Sequence, residues 1–345
     1  MELALQTAGA GLPRPAEGGA GARVTRAILA GLGGYLPETV VTNDDLSRTV
    51  ETSDAWIRER TGIRQRHLAQ PHETCAYMAT RAAQAALADA GADTSEVDAI
   101  ILATATPDQA FPATATRVQA ALGAGGFAFD LSAACSGFVY ALSVADAMMR
   151  AGQVRGALVI GSEVYSRILN WQDRGTCVLF GDGAGAVFLR AGEGGGGLGD
   201  RGILSTHLHS DGRLGDILYV DGAVGRADRP GHLVMNGKEV FRHAVIRLAE
   251  SVDEALAANG LDRSALDWLV PHQANLRIVD AISRRLCLPP ERVVITVDRH
   301  ANTSAASIPL ALADAHADGR LRPGQLVLLS ALGGGLTWGS ALIRL

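Results

Sequence analysis

The sequence predicts an α/β protein built from two similar halves, and three observations carry that prediction. From Arg26 onward, short apolar segments alternate with Ala-rich amphipathic stretches, the pattern of strands feeding helices. Two regions then run through the same order of strand, small-residue turn, Ala-rich helix and strand. Finally, the 41 glycines cluster beside apolar runs, where tight turns and close packing need them, and form no regular repeat. With 345 residues, 48% hydrophobic and 19% charged, the chain can bury a large core.

Arg26-Ala27-Ile28-Leu29-Ala30-Gly31 reads as the opening strand. Thr52-Ser53-Asp54 offers a side-chain cap to a helix carrying Trp56, and Gly62 ends it. A helix is expected over 76–90, a buried strand over 99–104, and another helix ending at 119–123. The first repeat unit comprises strand 127–131, the Cys135 turn, an Ala-rich helix, Arg150-Ala151-Gly152 and strand 157–161. The second comprises strand 293–297, the Asn302 turn, helix 308–317, Asp318-Gly319-Arg320 and strand 325–330. Each unit closes on a Gly-rich strand pair, one at 181–185 and one at 333–335. Halves over 24–192 and 198–345, joined near Gly194–Gly197, would place a site between them, a favoured position for pockets.

A net charge of −5 gives no general attraction to nucleic acid, and Lys238 is the only lysine. Cys75, Cys135, Cys177 and Cys287 are widely spaced, with no C-x-x-C pair, as expected of a reduced cytoplasmic protein. Residues 1–23 lack the long apolar core of a signal peptide and read as a disordered tail. No apolar run reaches the length of a membrane span.

Cys135 lies where an apolar strand gives way to small residues and then to an apolar helix. A thiol at a helix N-terminus feels the positive end of the helix dipole, which favours the nucleophilic thiolate. A lone cysteine is more often a packed core residue, so its setting matters. His272 follows the apolar run Trp268-Leu269-Val270 and precedes a helix start. Asn302 occupies the turn that mirrors Cys135 in the repeat. Cys, His and Asn converging at one interface point to covalent acyl transfer. His207 and His209, with Asp211 nearby, share a strand face but have no further ligand cluster, and are read as structural. The glycines of 181–185 lack the Lys-Ser/Thr of a phosphate loop and are assigned to close packing.

Five ordered motifs carry a resemblance to the β-ketoacyl-acyl carrier protein synthase III family of thiolase-like condensing enzymes. They are Ala134-Cys135-Ser136-Gly137-Phe138, Gly181-Asp182-Gly183-Ala184-Gly185-Ala186, Pro271-His272-Gln273-Ala274-Asn275, Asn302-Thr303-Ser304-Ala305-Ala306-Ser307 and Gly333-Gly334-Gly335-Leu336-Thr337-Trp338-Gly339. The resemblance spans Arg26 to Leu345. It implies a thiolase-like fold of duplicated halves in five αβαβα layers, working as a homodimer with no metal and no cofactor beyond its CoA thioester substrate. It also implies that Cys135 takes an acyl group from a short acyl-CoA, acetyl-CoA first, and that His272 and Asn302 stabilise the enolate formed when malonyl-acyl carrier protein loses CO2. The backbone N–H groups of Cys135 and Gly334 would make the oxyanion hole.

By the same resemblance Trp56 and Arg174 would sandwich the CoA adenine, Arg60 would contact phosphate, and Asn275 would contact pantetheine. Phe111 would floor the partner's acyl pocket, beside a wall supplied by Leu332. Arg242, Arg277, Arg284 and Arg285 would dock the acidic carrier protein. Two positions depart from the family pattern. Ala301 stands where glycine is usual, which adds strain of roughly 1 kcal/mol if φ is positive there. Leu332 stands where phenylalanine is common. The rival reading is a related acyltransferase that passes the acyl group to an alcohol or amine. Retention of Asn302 argues against it, and a Cys-His-Asn protease would leave the glycine motifs without a role.

Overall fold

The computed structural model describes residues 23–222 and 231–345. The tail expected over 1–23 therefore lies, Arg23 apart, outside the described residues. Strands β1 (Val24–Tyr35), β2 (Ala99–Ala103), β3 (Phe127–Leu131), β4 (Gly156–Glu163) and β5 (Gly183–Gly194) form one mixed sheet in the order β1-β5-β4-β2-β3. Strands β6 (Gly202–Ser210), β7 (Trp268–Pro271), β8 (Leu326–Gly333) and β9 (Thr337–Arg344) form a second, in the order β7-β8-β9-β6. The pairings match between sheets. Parallel β2/β4 corresponds to parallel β7/β8, and each continues through two antiparallel pairs to the strand that opens its half.

Helices α1 (Asp54–Thr61), α2 (Cys75–Asp89), α3 (Thr114–Leu122), α4 (Gly137–Arg150), α5 (Gly237–Ala258), α6 (Leu276–Arg285) and α7 (Ser307–Ala317) complete the layers. The periodicity of α4 and α7 buries apolar side chains toward both sheets at once. Phe138, Leu142 and Met149 of α4 join Ile308, Leu312 and Ala315 of α7 in one core with Ile101, Val159, Leu329 and Ala341. Helices α2 and α3 cover the outer face of the first sheet, and α5 and α6 that of the second. The result is the expected five-layered αβαβα order. Each large aliphatic or aromatic side chain fully removed from water contributes about 1.5–3 kcal/mol.

Local signals place the elements much as anticipated. The Ser53 hydroxyl accepts the Trp56 N–H at the start of α1, and Gly62 ends that helix in the left-handed conformation, φ 77°. Thr74 caps α2 by accepting the Tyr77 N–H. The alanines of α2 let it settle on the glycines of β1, where a Cβ on Gly33 would come within 2.3 Å of the Ala82 carbonyl. Gly185 likewise lies against α7, 2.6 Å from Leu310 N to a would-be Cβ, which supports the packing role assigned to the 181–185 glycines.

One expected strand is absent. The 293–297 stretch mirrors β3, yet it makes a single parallel bridge, Val293 to Leu269, and then turns into a one-turn helix over Val297–His300. The backbone N–H groups of Thr296 and Val297 donate to Gln273 Oε1 at 2.8 and 3.2 Å. A buried side chain thus takes the donors that a strand ladder would have used.

Close backbone approach joins the halves at the two mirrored turns. A Cβ on Gly161, in β4, would sit 2.2 Å from the Ala305 carbonyl, and one on Gly333 would sit 2.6 Å from Cys135 N. Gly161→Ala is therefore expected to destabilise the protein by about 3 kcal/mol in urea unfolding. Gly125→Ala, at a position with nothing within 4 Å, should change stability by no more than about 0.5 kcal/mol. Equal unfolding midpoints for the two variants would contradict this account of the interface.

Candidate active site

Cys135 sits in the short turn Ala134–Ser136 between β3 and α4. Ala134, just before it, has a φ of 45°. No side chain caps α4, so its first N–H groups remain directed toward the thiol end of the helix. Burial opposes the pull of this dipole toward the thiolate. Cys135 is only 6% exposed, and burial pushes its thiol up to about 12, with the nearby Glu163 carboxyl acting in the same direction. Hydrogen bonds with Ser304 and Tyr165 oppose that rise. The resting nucleophile is a neutral thiol.

His272 follows β7, and its backbone N–H donates to the Ser330 carbonyl at 2.8 Å. Its Nδ1 lies 2.6 Å from Ser307 Oγ, the first residue of α7. Ser307 Oγ already accepts the Gln273 N–H at 3.3 Å, which leaves its hydroxyl hydrogen for His272 Nδ1. We assign the remaining proton to Nε2. Burial holds His272 down at about 3, so the ring is neutral.

Asn302 is fixed from the other half. Its N–H donates to the Leu179 carbonyl at 2.9 Å, and its own carbonyl accepts the Gly181 N–H at 3.1 Å. The side-chain Oδ1 accepts the Ser304 N–H at 2.9 Å, which leaves the Nδ2 hydrogens as donors to any ligand. Cys135, His272, Asn302 and Gly334 line one cavity of about 480 Å³. Its remaining walls are mostly apolar and include Tyr165, Phe180, Phe241 and Leu332.

Comparison with known proteins identifies this arrangement. The model for 3-oxoacyl-[acyl-carrier-protein (ACP)] synthase III matches residues 129–212, and that for its C-terminal region matches residues 256–345. A β-ketoacyl-[acyl-carrier-protein] synthase III of Acidiphilium cryptum is 70% identical over 92% of this chain and 99% of its own length. The chain belongs to the 3-oxoacyl-[acyl-carrier-protein] synthase III family. The enzyme of that name from Granulibacter bethesdensis is 65% identical, covering 93% of this chain and 99% of that one. Among solved structures, the synthase III of Aquifex aeolicus superposes with a TM-score of 0.86 at 46% identity, over 93% of this chain and 100% of that one. A priming β-ketosynthase of the R1128 polyketide pathway superposes at 0.88 with 34% identity, over 96% and 99% of the two chains.

The residues that the family pattern assigned to substrate fall in two groups. Trp56, Arg60, Asn275 and Arg277 line the same cavity as the thiol. Arg60 and Arg174 lie over the Trp56 ring, with guanidinium carbons 4.6 and 5.4 Å from its centroid. An aromatic ring stacked between Trp56 and Arg174 needs about 7 Å, so the two must part to admit one. The Asn275 side chain caps α6 by accepting the Arg277 N–H, and it donates to the Arg60 carbonyl at 3.2 Å. Its amide is thus occupied in joining α1 to α6.

The second group lies at the surface, and Arg277, exposed yet also lining the cavity, belongs to both. Arg277 rests over Phe241, while Arg242 pairs with Glu239 at 2.6 Å. Arg284 and Arg285 form the last turn of α6, two turns beyond Arg277. Phe111 is 84% exposed and does not line the cavity of its own chain. His209 donates no metal geometry: its Nε2 meets Glu254 at 2.6 Å and its ring stacks on Trp338. Among the described residues no cluster of three or more His, Cys, Asp or Glu could hold a metal ion.

Both departures have structural counterparts. Ala301 adopts φ 57° and ψ −160°, a region that strongly favours glycine, so the anticipated strain is present beside Asn302. Leu332 is buried at the cavity wall among Leu248, Leu336 and Trp338. Sequence reasoning missed Glu163, Tyr165, Ser304 and Ser307 as members of the site. Ser304 and Ser307 belong to a quoted motif but were given no role there. For Glu163 the available signal was an acid at the end of an otherwise apolar strand.

Proposed function

We propose that this chain condenses a short acyl-CoA, acetyl-CoA first, with malonyl-acyl carrier protein by decarboxylative Claisen chemistry. The products are 3-oxoacyl-acyl carrier protein, CoA and CO2, and the step initiates type II fatty acid synthesis. The observation that carries this reading is the convergence of Cys135, His272 and Asn302 on one cavity. The family membership agrees with it.

In the first half-reaction Cys135 Sγ attacks the thioester carbonyl, and the backbone N–H groups of Cys135 and Gly334 receive the developing oxyanion. Expulsion of CoA leaves an acyl-enzyme. Malonyl-acyl carrier protein then binds with its thioester oxygen toward His272 Nε2 and Asn302 Nδ2. Loss of CO2 places negative charge on that oxygen, and two N–H donors in a buried apolar pocket stabilise it. Each such donor is worth about 3 kcal/mol in the transition state. The enolate carbon attacks the acyl carbonyl and expels Cys135 as its thiolate, which takes up a proton from solvent to restore the thiol. A neutral imidazole suits this task, because it polarises the oxygen without protonating the carbanion.

The primer reading rests on Tyr165. Its ring is buried and stacked on Phe180, with centroids 4.9 Å apart, and both rings line the cavity that holds Cys135. Two stacked rings on the wall beside the nucleophile favour a short acyl group. Trp56, Arg60, Arg174 and Asn275 would hold CoA, and Arg242, Arg277, Arg284 and Arg285 the acidic carrier. Exposed Phe111 would reach the partner in a homodimer, and the working location would be the cytoplasm. The residues 24–192 supply the nucleophile, and 198–345 supply His272 and Asn302. Among the described residues no helix is long and apolar enough to cross a membrane.

Three outcomes test this reading. Intact mass spectrometry should show an acetyl adduct on the native chain and none on Cys135→Ala, with hexanoyl-CoA reacting at least about tenfold more slowly. His272→Ala and Asn302→Ala should retain acylation while malonyl decarboxylation falls by on the order of 100-fold or more. Adducts that persist on the native chain when malonyl-acyl carrier protein is supplied would favour transfer to an alcohol or amine instead.

The pH dependence of His272 follows from its burial. A folded value near 3, below the ordinary 6.5, keeps the ring neutral at every pH above about 4. Malonyl decarboxylation by the Cys135→Ala variant should therefore be flat between about pH 5.5 and 8.5. An inflection near 6.5 would show that the ring gains a proton in the working range.

Trp56→Ala should raise KM for acetyl-CoA by about tenfold with kcat little changed, as expected for loss of uniform binding. A fall in kcat alone would place Trp56 elsewhere in the mechanism.

A further inference from the structure

A neutral thiol must lose a proton before it can attack, and the mechanism above names no acceptor. His272 is held neutral far below its ordinary range, and Ser307 already engages its Nδ1. The carboxyl group of Glu163 lies one hydrogen bond from the Ser304 hydroxyl, a neighbour of the sulfur. Glu163 ends β4, is fully buried, and has no ion pair among the described residues. Its Oε2 accepts the Thr106 hydroxyl at 2.6 Å and the Thr104 hydroxyl at 3.2 Å, and both oxygens lie near the Ala105 N–H. Its Oε1 accepts the Ser304 hydroxyl at 3.0 Å. The same Ser304 hydroxyl lies 3.0 Å from the Tyr165 hydroxyl and close enough to Cys135 to favour its ionised form against burial.

Two features show that this contact is built. Ser304 is held at φ 50°, where a side chain is strained, and its N–H is fastened to Asn302 Oδ1. The bare Cα of Gly161 lets the Ala305 backbone press onto β4, which brings Ser304 to the carboxyl at the end of that strand.

We infer that Glu163 is the proton acceptor for Cys135, acting through the Ser304 hydroxyl. This inference rests on the acyl-enzyme reading above. As the Cys135 sulfur bonds to the thioester carbon, its S–H proton passes to Ser304 Oγ while the Ser304 hydroxyl proton passes to Glu163 Oε1. When the C–S bond to CoA breaks, the departing thiolate retrieves the proton by the reverse path. CoA leaves as its thiol, Cys135 carries the acyl group, the Ser304 hydroxyl and the Glu163 carboxylate are restored, and no outside acid or base is consumed. Glu163 touches no substrate atom and acts only through Ser304.

The groups facing Glu163 agree with this role. Cys135 precedes α4, Tyr165 follows β4, and Cys75 opens α2; all three are neutral at rest, since burial raises each of them. Thr104, Thr106 and Ser304 supply only hydroxyls. Burial lifts Glu163 to about 7, so it can both accept and release a proton near neutrality. It is raised from 4.5, and it is the ionised form, present above about 7, that can take the proton. Acylation therefore gains rate as pH rises through that value.

Quenched-flow acylation by acetyl-CoA, read by intact mass across about pH 5.5 to 9, tests the relay. The native chain should show a rate rising around an inflection near 7. Glu163→Gln and Ser304→Ala should each lose that inflection and lower the plateau by on the order of 100-fold. Malonyl decarboxylation moves no proton off the thiol, so Glu163→Gln should impair it at least about tenfold less than acylation. A Glu163→Gln variant that keeps the native inflection, or loses both half-reactions equally, would overturn the relay. A native chain that takes up acetyl with a flat pH profile would do the same while leaving the acyl-enzyme reading intact. A native chain that takes up no acetyl would overturn both.

Discussion

The constraint on which this structure depends is backbone-to-backbone contact between the turn of each half and a strand of the other. Gly161 meets the Ala305 carbonyl, and Gly333 meets the Cys135 amide nitrogen, at distances that no side chain could occupy. That contact sets the spacing between the nucleophile and the groups that serve it. The Asn302 backbone is then tied to Leu179 and Gly181 of the other half by two hydrogen bonds. Asn302 is thus held across the interface, whereas His272 is aimed from within its own half by Ser307 and Ser330, so the seam sets where the nucleophile stands against both.

Burial governs the electrostatics of this seam. It raises Cys135, Tyr165 and Glu163 and lowers His272, so every titratable group at the centre moves toward its neutral form. A cavity whose Cys135, His272 and Asn302 walls are neutral at rest can admit an apolar acyl chain, and it sharpens the effect of any charge that arises during reaction. The cationic residues Arg60, Arg174 and Arg277 are kept to the outer part of the cavity and its rim. Helix dipole and burial therefore oppose each other at Cys135, and burial prevails in the resting state.

Much of this was legible in the sequence because the signals were local. Helix caps at Ser53 and Thr74, the glycine stops, the apolar strands and the repeat itself all depend on residues close in the chain. The mirrored positions of Cys135 and Asn302 were readable for the same reason. What escaped was set by contacts distant in sequence. The 293–297 segment has strand composition, yet the Gln273 side chain takes its donors. The neutrality of Cys135 reflects how completely it is enclosed, which no residue pattern reports. Glu163 and Ser304 are 141 positions apart, and only the fold brings them to 3.0 Å. The positive φ at Ala301 was anticipated as a possibility, and the backbone adopts it.

The incomplete match between the halves has a consequence for how such a site can originate. The Cys135 and Asn302 turns occupy equivalent places in the two repeats, each leading into a central helix, α4 or α7. Were the halves identical in sequence, both turns would present the same residue, and nucleophile would face nucleophile or amide would face amide. Because one chain carries both copies, each turn can differ in sequence from its twin. The 293–297 segment shows the same freedom, since only this copy has the Gln273 clamp in place of a ladder. Division of labour across a pseudo-symmetric seam is something a single gene encoding one repeat, assembled as a symmetric pair, could not encode.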